Sequence, residues 1–456
     1  MQVKVDELPF PGIRYELFGD DSRFFYRNCW ANGSSALAGE GCIIGADCTM
    51  DDYGLYLHIP FCVRRCPYCD FFSTEGKRRS IPAYVRALAR ELEWIGAAGG
   101  HPSVGSVFFG GGTPSLLDPR QAARILEEAR RSFRIAPDAE ITMEANPGTL
   151  DRPRLRGLRT AGINRLSLGV QSLEDAELRM LGRIHSAADA RRTIDDARRA
   201  GWTNVSLDLI FGLPGQSAAA WEHTLDGALA LAPEHVSLYS LTLERGTRLA
   251  RSVRRGDLPA PEEDRTAEMY EHAEETLAAA GYRHYEISNW ARDGERRGNT
   301  PGAAGDSRKA KFPAYACRHN LRYWLNRPYL GLGAGAHGCA DGRRYSNIRS
   351  VEKYVDRMRA GRCRKFPLSP AAARGELRGR DEEMRETMWL GLRLTEAGVS
   401  RAGFRRRFDL DFREIFREEI DPTVAGGLLE WARDGDSLRL TPRGRLLGNQ
   451  VFQLFV

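Results

Sequence analysis

At 456 residues the chain is too long for one ordinary core and must hold two or three domains, or a large barrel with an appendage. A hydrophobic fraction of 42% with 28% charged residues marks a globular chain and excludes wholesale disorder or a fibrous repeat. The net charge of +6 is mild, and its arginines alternate with acids, as in Glu127-Glu128-Ala129-Arg130-Arg131, so the charge describes solvated faces and not a nucleic-acid partner.

Residues 1–49 show no periodicity and are read as an N-terminal extension, dispensable for a core that starts at Met50. They contain no apolar signal region, and no run in the chain approaches the roughly 20 apolar residues of a membrane helix. From Tyr53 onward, short apolar strands at 54–60, 104–109, 140–145, 165–170, 204–211, 235–243 and 282–288 alternate with helices. The helices are expected at 82–96, 119–133, 152–161, 187–200, 217–231 and 261–280. This rhythm predicts successive βαβ units and a parallel sheet, and so many units in sequence favour a barrel or partial barrel. Polar or glycine residues follow nearly every strand and should converge on one face. Residues 292–316 break the rhythm and read as a flexible insertion. Beyond about 366, helices are expected at 385–394, 400–408, 412–419 and 423–434, then a strand pair at 437–441 and 446–455. That order suggests a small winged-helix-like module, read as a packing or gating lid and not as a DNA reader.

The nine cysteines are odd in number and irregular in spacing, which fits a reducing, cytoplasmic compartment better than a disulfide framework. Three of them cluster directly after the first strand, in His58-Ile-Pro-Phe-Cys62-Val-Arg-Arg-Cys66-Pro-Tyr-Cys69. Loop-borne thiolates of Cys62, Cys66 and Cys69 can wrap one side of an iron–sulfur cube. One iron of a [4Fe-4S] cluster would stay open to chelate S-adenosylmethionine (SAM), whose sulfonium an electron from the cluster can cleave. The alternative is a structural zinc with His58 as fourth ligand, but no second cysteine hook lies nearby. Cys29, Cys42 and Cys48 match no ligand pattern, and no auxiliary cluster is expected from them.

The C-x3-C-x2-C spacing resembles the radical SAM superfamily, of which it is the defining signature. That resemblance implies roles for the strand-end residues. In Gly110-Gly111-Gly112-Thr113-Pro114 the backbone can approach a ligand closely, and Gly111, Gly112 and Thr113 correspond to the site of the methionine amino group. Glu144, Gln171 and Asp208 would bind ribose hydroxyls or an ammonium, and Arg183 the SAM carboxylate. Tyr56 and Tyr68 would pack near the cluster and the adenine.

YLHIPFC, GGGTPSLL, EANP, SLGVQS, LGRIH, DLIFGLPGQ and LTPRGRLLGNQVF are together similar to the oxygen-independent coproporphyrinogen oxidases and their relatives, over 53–456 apart from 292–316. The resemblance implies a partial (β/α)6-type TIM barrel at 50–365 and a mostly helical HemN-type domain at 366–456. The decarboxylating enzymes of this group carry a fourth cysteine two residues past the third; here that position is Phe71. CDFFS and the HNLRYW segment at 319–324 instead resemble HemW, the haem-chaperone branch. This implies haem as a ligand, an acceptor protein for it, a reductant for the cluster, and peripheral association with a membrane surface. His319, expected on an exposed mobile loop, is the candidate haem ligand, with Tyr323 and Trp324 stacking on the porphyrin. His337 and Cys339 are secondary candidates, read as structural. Coproporphyrinogen oxidation is the competing reading, and a methyltransferase of related architecture a third.

Overall fold

A computed structural model of the chain describes residues 52–294, 311–361, 364–433 and 435–456. The N-terminal extension, its three cysteines and most of the insertion lie outside the described residues. Six parallel strands form the barrel wall: β1 (Asp52–Ile59), β2 (Ser103–Gly111), β3 (Arg134–Ala145), β4 (Arg165–Gln171), β5 (Val205–Phe211) and β6 (His235–Ser240). The helices α1 (Ile81–Ala98), α2 (Pro119–Ser132), α3 (Arg152–Ala161), α4 (Ala187–Arg199) and α5 (Ala218–Ala230) cover its outside. Their starts are chemically marked. Asp118, Asp151, Ser186 and Ser217 each accept a hydrogen bond from a first-turn amide that would otherwise be orphaned.

Over most of their length the strands alternate between two faces, with register irregularities near Gly54, Ser106 and Gln171. Leu55, Leu57, Ile59, Val107, Phe109, Ile141, Met143, Leu166, Leu168, Leu207 and Leu209 belong to one continuous apolar core. The residues between them, such as Ser106, Thr142, Glu144, Ser167, Ser206, Asp208 and Ser237, occupy the opposite face. The inner wall of the barrel is therefore rich in polar residues, with Tyr56 and Phe108 among them, and most of the hydrophobic stabilisation comes from the layer between sheet and helices.

Two parts of the sheet differ from the sequence-based expectation. Residues 282–288 do not make a seventh parallel strand. Instead β7 (Tyr282–Glu286) and β8 (Asn289–Arg292) form a hairpin, and β8 pairs antiparallel with β6. Only Ile287 and Ser288 separate the two strands, too few for the crossover a parallel pair needs. At the other side, β9 (Tyr329–Leu332) lies parallel to β1. It continues through β10 (His337–Ala340), β11 (Arg343–Asn347) and β12 (Ala372–Leu377) as an antiparallel meander. The glycines of GLGAGAHG concealed this extension of the sheet.

Between the hairpin and β9 runs a short helix, α6 (Arg318–Trp324). It crosses the N-terminal ends of the strands and closes the bottom of the barrel. Arg322 donates to the Asp52 carbonyl of β1 and to Ser106 Oγ of β2, while the Arg318 amide donates to Glu140 of β3. The approach is so close at Gly54 that a Cβ there would stand 2.8 Å from the Arg322 side chain.

The C-terminal region holds α7 (Arg380–Gly391), α8 (Arg401–Phe408) and α9 (Arg417–Ala425). A three-stranded sheet completes it, with β15 (Ser437–Leu440) between β13 (Val399–Ser400) and β14 (Leu429–Trp431). The helix expected at 423–434 stops at Ala425. Gly426 and Gly427 end it, Gly427 in the left-handed region, and the chain turns into β14. The strand expected at 446–455 is helical, over Gly448–Phe452 and Gln453–Phe455. Val451 and Phe455, four apart, both face the core. This region joins the barrel through Arg393, whose guanidinium lies 4.3 Å from the Trp324 ring centroid, and through an Arg445–Glu274 ion pair of 2.8 Å. No helix of the described residues is long and apolar enough to cross a membrane.

Candidate functional site

The cysteine loop leaves the C-terminal end of β1 and is pinned at both ends. Phe61–Cys62 pairs with Thr74–Glu75, the Thr74 amide donates to the Pro60 carbonyl (2.7 Å), and Tyr84 donates to the His58 carbonyl (2.7 Å). Cys62, Cys66 and Cys69 are unpaired and partly buried on this loop. Burial, reinforced by the neighbouring thiols, pushes Cys62 up and Cys69 to about 11. Three thiolates side by side thus need a cationic group among them, which is what the irons of a cluster supply. Arg183 Nη1 stands 3.4 Å from Cys66 Sγ, and the Thr113 hydroxyl donates to Cys62 Sγ at 3.7 Å. These are suitable outer donors to cluster thiolates. The donor set fits.

His58 does not fit the zinc alternative. Its Nε2 is 2.9 Å from the Phe72 carbonyl and its Nδ1 is 3.1 Å from the Tyr56 hydroxyl, so both ring nitrogens are engaged away from the thiols. Burial holds it neutral, with its pKa near 4.

The glycine loop packs on the cysteine loop. A Cβ on Gly112 would lie 2.8 Å from the Phe61 carbonyl oxygen, and Gly111 has φ +114. Its amides are already used. Gly111 N donates to Glu144 (3.0 Å), Gly112 N to the Ile59 carbonyl (3.0 Å) and Thr113 N to the Phe61 carbonyl (2.8 Å). The loop can therefore meet a ligand only through carbonyl oxygens, the correct polarity for an ammonium.

Arg183 gathers the other side. It donates to the Gly169 carbonyl (2.8 Å), to the Tyr68 hydroxyl (3.4 Å) and to Asn146, which also donates to Thr113 (3.1 Å). Asn146 thus bridges the glycine loop and Arg183, a connection the sequence placed only as a strand-end residue. Gln171 follows on β4 with φ +70, a conformation costly for a residue other than glycine and characteristic of functional turns. Glu144 faces Asp208 across the barrel interior. Burial, then the neighbouring Asp208 charge, raises Glu144 to about 7. Asp208 accepts from Ser167 (3.0 and 3.1 Å) and Ser206 (3.3 Å). Tyr56 also lies inside, stacked on Phe108 at 6.2 Å. Phe71 is on the rim, 44% exposed.

His319 is placed differently from expectation. It is 1% exposed, in α6 at the floor of the barrel, and not on an exposed loop. Nδ1 is 3.0 Å from Ser106 Oγ and Nε2 is 3.0 Å from the Tyr323 hydroxyl, while its ring stacks on Phe108. The HNLRYW segment closes the barrel end opposite the cysteines because Arg322 and His319 satisfy polar groups at the strand starts. His337 and Cys339 lie on β10, within the sheet extension.

Comparison with known proteins accords with this geometry. Residues 56–228 match the radical SAM superfamily and residues 380–447 the HemN C-terminal domain. The E. coli coproporphyrinogen III oxidase HemN, described as a radical SAM enzyme, superposes with a TM-score of 0.72 at 24% identity, covering 89% of this chain and 90% of that one. The heme chaperone HemW of Bacillus subtilis is 36% identical over 402 residues, which are 88% of this chain and 98% of the relative. The chain belongs to the HemW family. The heme chaperone HemW of Mycobacterium tuberculosis H37Rv agrees, 37% identical over 88% of this chain and 93% of its own length. Membership of the radical SAM superfamily implies a [4Fe-4S] cluster and SAM as cofactors.

Proposed function

We propose that this protein binds haem and passes it to an acceptor protein, with a [4Fe-4S] cluster on Cys62, Cys66 and Cys69 and SAM in the cleft beside them. The near full-length match to two haem chaperones carries the reading. Phe71 agrees with it, since the fourth-cysteine position of the decarboxylating relatives holds an exposed phenyl ring and no thiol. When bound, the cluster and SAM supply one-electron chemistry. The protein's residues bind and orient. Arg183, fixed by Asn146 and the Gly169 carbonyl, faces an anionic group, and the carbonyl side of Gly111–Thr113 faces an ammonium. Gln171, Tyr56 and Tyr68 complete the walls, and Glu144 and Asp208 supply negative charge to a cationic ligand. A cytoplasmic setting, an electron donor for the cluster and peripheral membrane contact belong to the same proposal. The test is anaerobic reconstitution followed by two assays. Haem binding with transfer to an apo-haemoprotein is expected. Robust coproporphyrinogen turnover with no haem transfer would instead favour the oxidase reading.

The Glu144–Asp208 pair makes SAM binding pH-dependent. Without ligand, Glu144 is protonated below about pH 7. A cationic ligand favours the carboxylate, so binding must expel that proton below this point. Affinity should rise from about pH 6 to about pH 8, approaching tenfold per unit on the acid side. Equilibrium binding across this range checks it. Glu144→Gln should flatten the profile; a flat profile in the wild type contradicts the assignment.

We place His319 in the floor and not on the haem iron, because both its nitrogens are engaged and the ring is buried. His319→Ala should destabilise the fold by about 2–4 kcal/mol, from lost packing and the loss of its hydrogen bonds with Ser106 and Tyr323. The haem absorption band of the folded variant should match the wild type. Loss of that band in a variant of unchanged melting temperature would return His319 to the iron.

A further inference from the structure

A hydrogen-bonded line runs down the inner wall from the cofactor cleft to the floor. Ser206 Oγ lies 3.3 Å from Asp208 Oδ1 and 2.8 Å from His235 Nδ1. His235 Nε2 lies 2.8 Å from the Tyr285 hydroxyl, which is 3.2 Å from the backbone amide of Cys317, just ahead of α6. All the side chains below Asp208 are buried.

The carboxylate at one end and the neutral imidazole set the direction of the protons. A backbone amide can only donate and a carboxylate can only accept. The Cys317 amide therefore donates to the Tyr285 oxygen, Tyr285 to His235 Nε2, His235 Nδ1–H to Ser206, and Ser206 to Asp208. This order needs a neutral imidazole carrying its proton on Nδ1. Burial, together with Arg165 nearby, holds His235 well below the usual histidine range, so the imidazole is neutral. Each donor in such a line polarises the next toward the anion at its end.

We propose that His235 is a positioning residue of the cofactor site: through Ser206 it orients the Asp208 carboxylate and favours its charged form, and through Tyr285 it takes its own orientation from the segment that floors the barrel. The proposal rests on the reading of Asp208 as a SAM contact. It makes the cleft and the floor, which lie at opposite ends of the barrel, parts of one polar structure.

The groups facing Asp208 define what a variant leaves behind. Ser167 and Arg165 face it from β4, Ser237 from β6, Ser206 from β5 and Glu144 from β3, while His235 of β6 reaches it only through Ser206. Removing His235 leaves Ser206 free to turn its proton elsewhere, while Arg165, Ser167 and Ser237 remain. The expected loss is partial.

The experiment measures SAM dissociation constants of the reconstituted protein across pH, for the wild type, Asp208→Asn, His235→Phe and Tyr285→Phe. Tyr285→Phe removes one oxygen and keeps the ring, so the proposal stays testable if His235→Phe folds poorly. SAM affinity should fall about tenfold in His235→Phe and about threefold in Tyr285→Phe. With Glu144 replaced by Gln, so that Asp208 alone of the pair still titrates, the acid limb that remains should move to higher pH in both variants, because an Asp208 carboxylate with fewer donors takes up a proton more readily. Iron and sulfide content should not change. A merely structural role would lower stability without moving that profile. If Asp208→Asn binds SAM as tightly as the wild type, the cofactor reading of Asp208 fails and the proposal with it. If Asp208→Asn weakens binding while Tyr285→Phe and His235→Phe keep the wild-type affinity and pH profile, only the positioning role is overturned.

Discussion

Cys66→Ala is expected to leave a folded protein that cannot be reconstituted with a [4Fe-4S] cluster, and Cys62→Ala and Cys69→Ala should do the same. Three thiolates are the smallest scaffold that leaves a single iron open, and each sits on a loop held at both ends by backbone hydrogen bonds. Losing one thiol leaves a second iron without its cysteine ligand. Cys317→Ala and Cys339→Ala are the internal controls: both thiols are buried elsewhere and should leave iron and sulfide content unchanged. Iron and sulfide analysis with the visible spectrum decides the matter. Zinc without sulfide in anaerobically prepared wild-type protein would contradict it, as would a cysteine-loop variant that keeps its full complement of iron.

Glu91→Ala should cost roughly 3–5 kcal/mol, a large part of the 5–15 kcal/mol typical of a folded protein. Glu91 lies on α1, fully buried. Its two oxygens accept from the Gly333 amide (2.7 Å), Tyr354 (2.7 Å), Asn347 (2.8 Å) and Ser369 (2.5 Å). Burial raises its carboxyl above the usual range while these donors pull it back. Four donors meeting two oxygens are satisfied together only by the carboxylate. Alanine takes this acceptor from all four in a buried site, and only Asn347 keeps another, the Gly333 carbonyl at 3.0 Å. Glu91→Gln should fall between, since its amide brings two further donors among them. Thermal unfolding and soluble yield measure the effect. A Glu91→Ala protein within about 1 kcal/mol of wild type would show that water or a local shift replaces the carboxylate.

The cofactor cleft was legible because its residues follow strand ends, where a polar residue interrupts an apolar run. The cysteine loop, Glu144 and Gln171 were proposed that way, whereas Arg183, in the loop after a short helix, was proposed from the LGRIH motif, and Asp208 lies in the middle of its strand and not at its end. The inner wall was harder to read. Ser206, His235 and Tyr285 alternate with apolar neighbours and look like the solvent side of a half-buried strand; only closure of the barrel turns that face inward. Glu91 was invisible for a similar reason. A lone glutamate in an amphipathic helix reads as surface, and its donors arrive from residues about 240 to 280 positions away. HNLRYW misled in another way. A histidine beside two aromatic residues fits a porphyrin as well as it fits a packed floor, and only the contacts with Asp52, Ser106 and Glu140 decide its place.

The seam between Trp324 and Arg393 bears on how the chain can be cut. Trp324 ends the helix that floors the barrel, yet its indole packs against the core built from α7, α8 and β15. Ile287, in the turn of the β7–β8 hairpin, belongs to that same core, and its amide donates to the Arg393 carbonyl. A protein ending near residue 365 would present both side chains to water and leave Glu286 buried without the Arg393 guanidinium 3.6 Å away. The barrel and the C-terminal region should therefore melt in one transition, and a protease that enters between them should release no stable fragment.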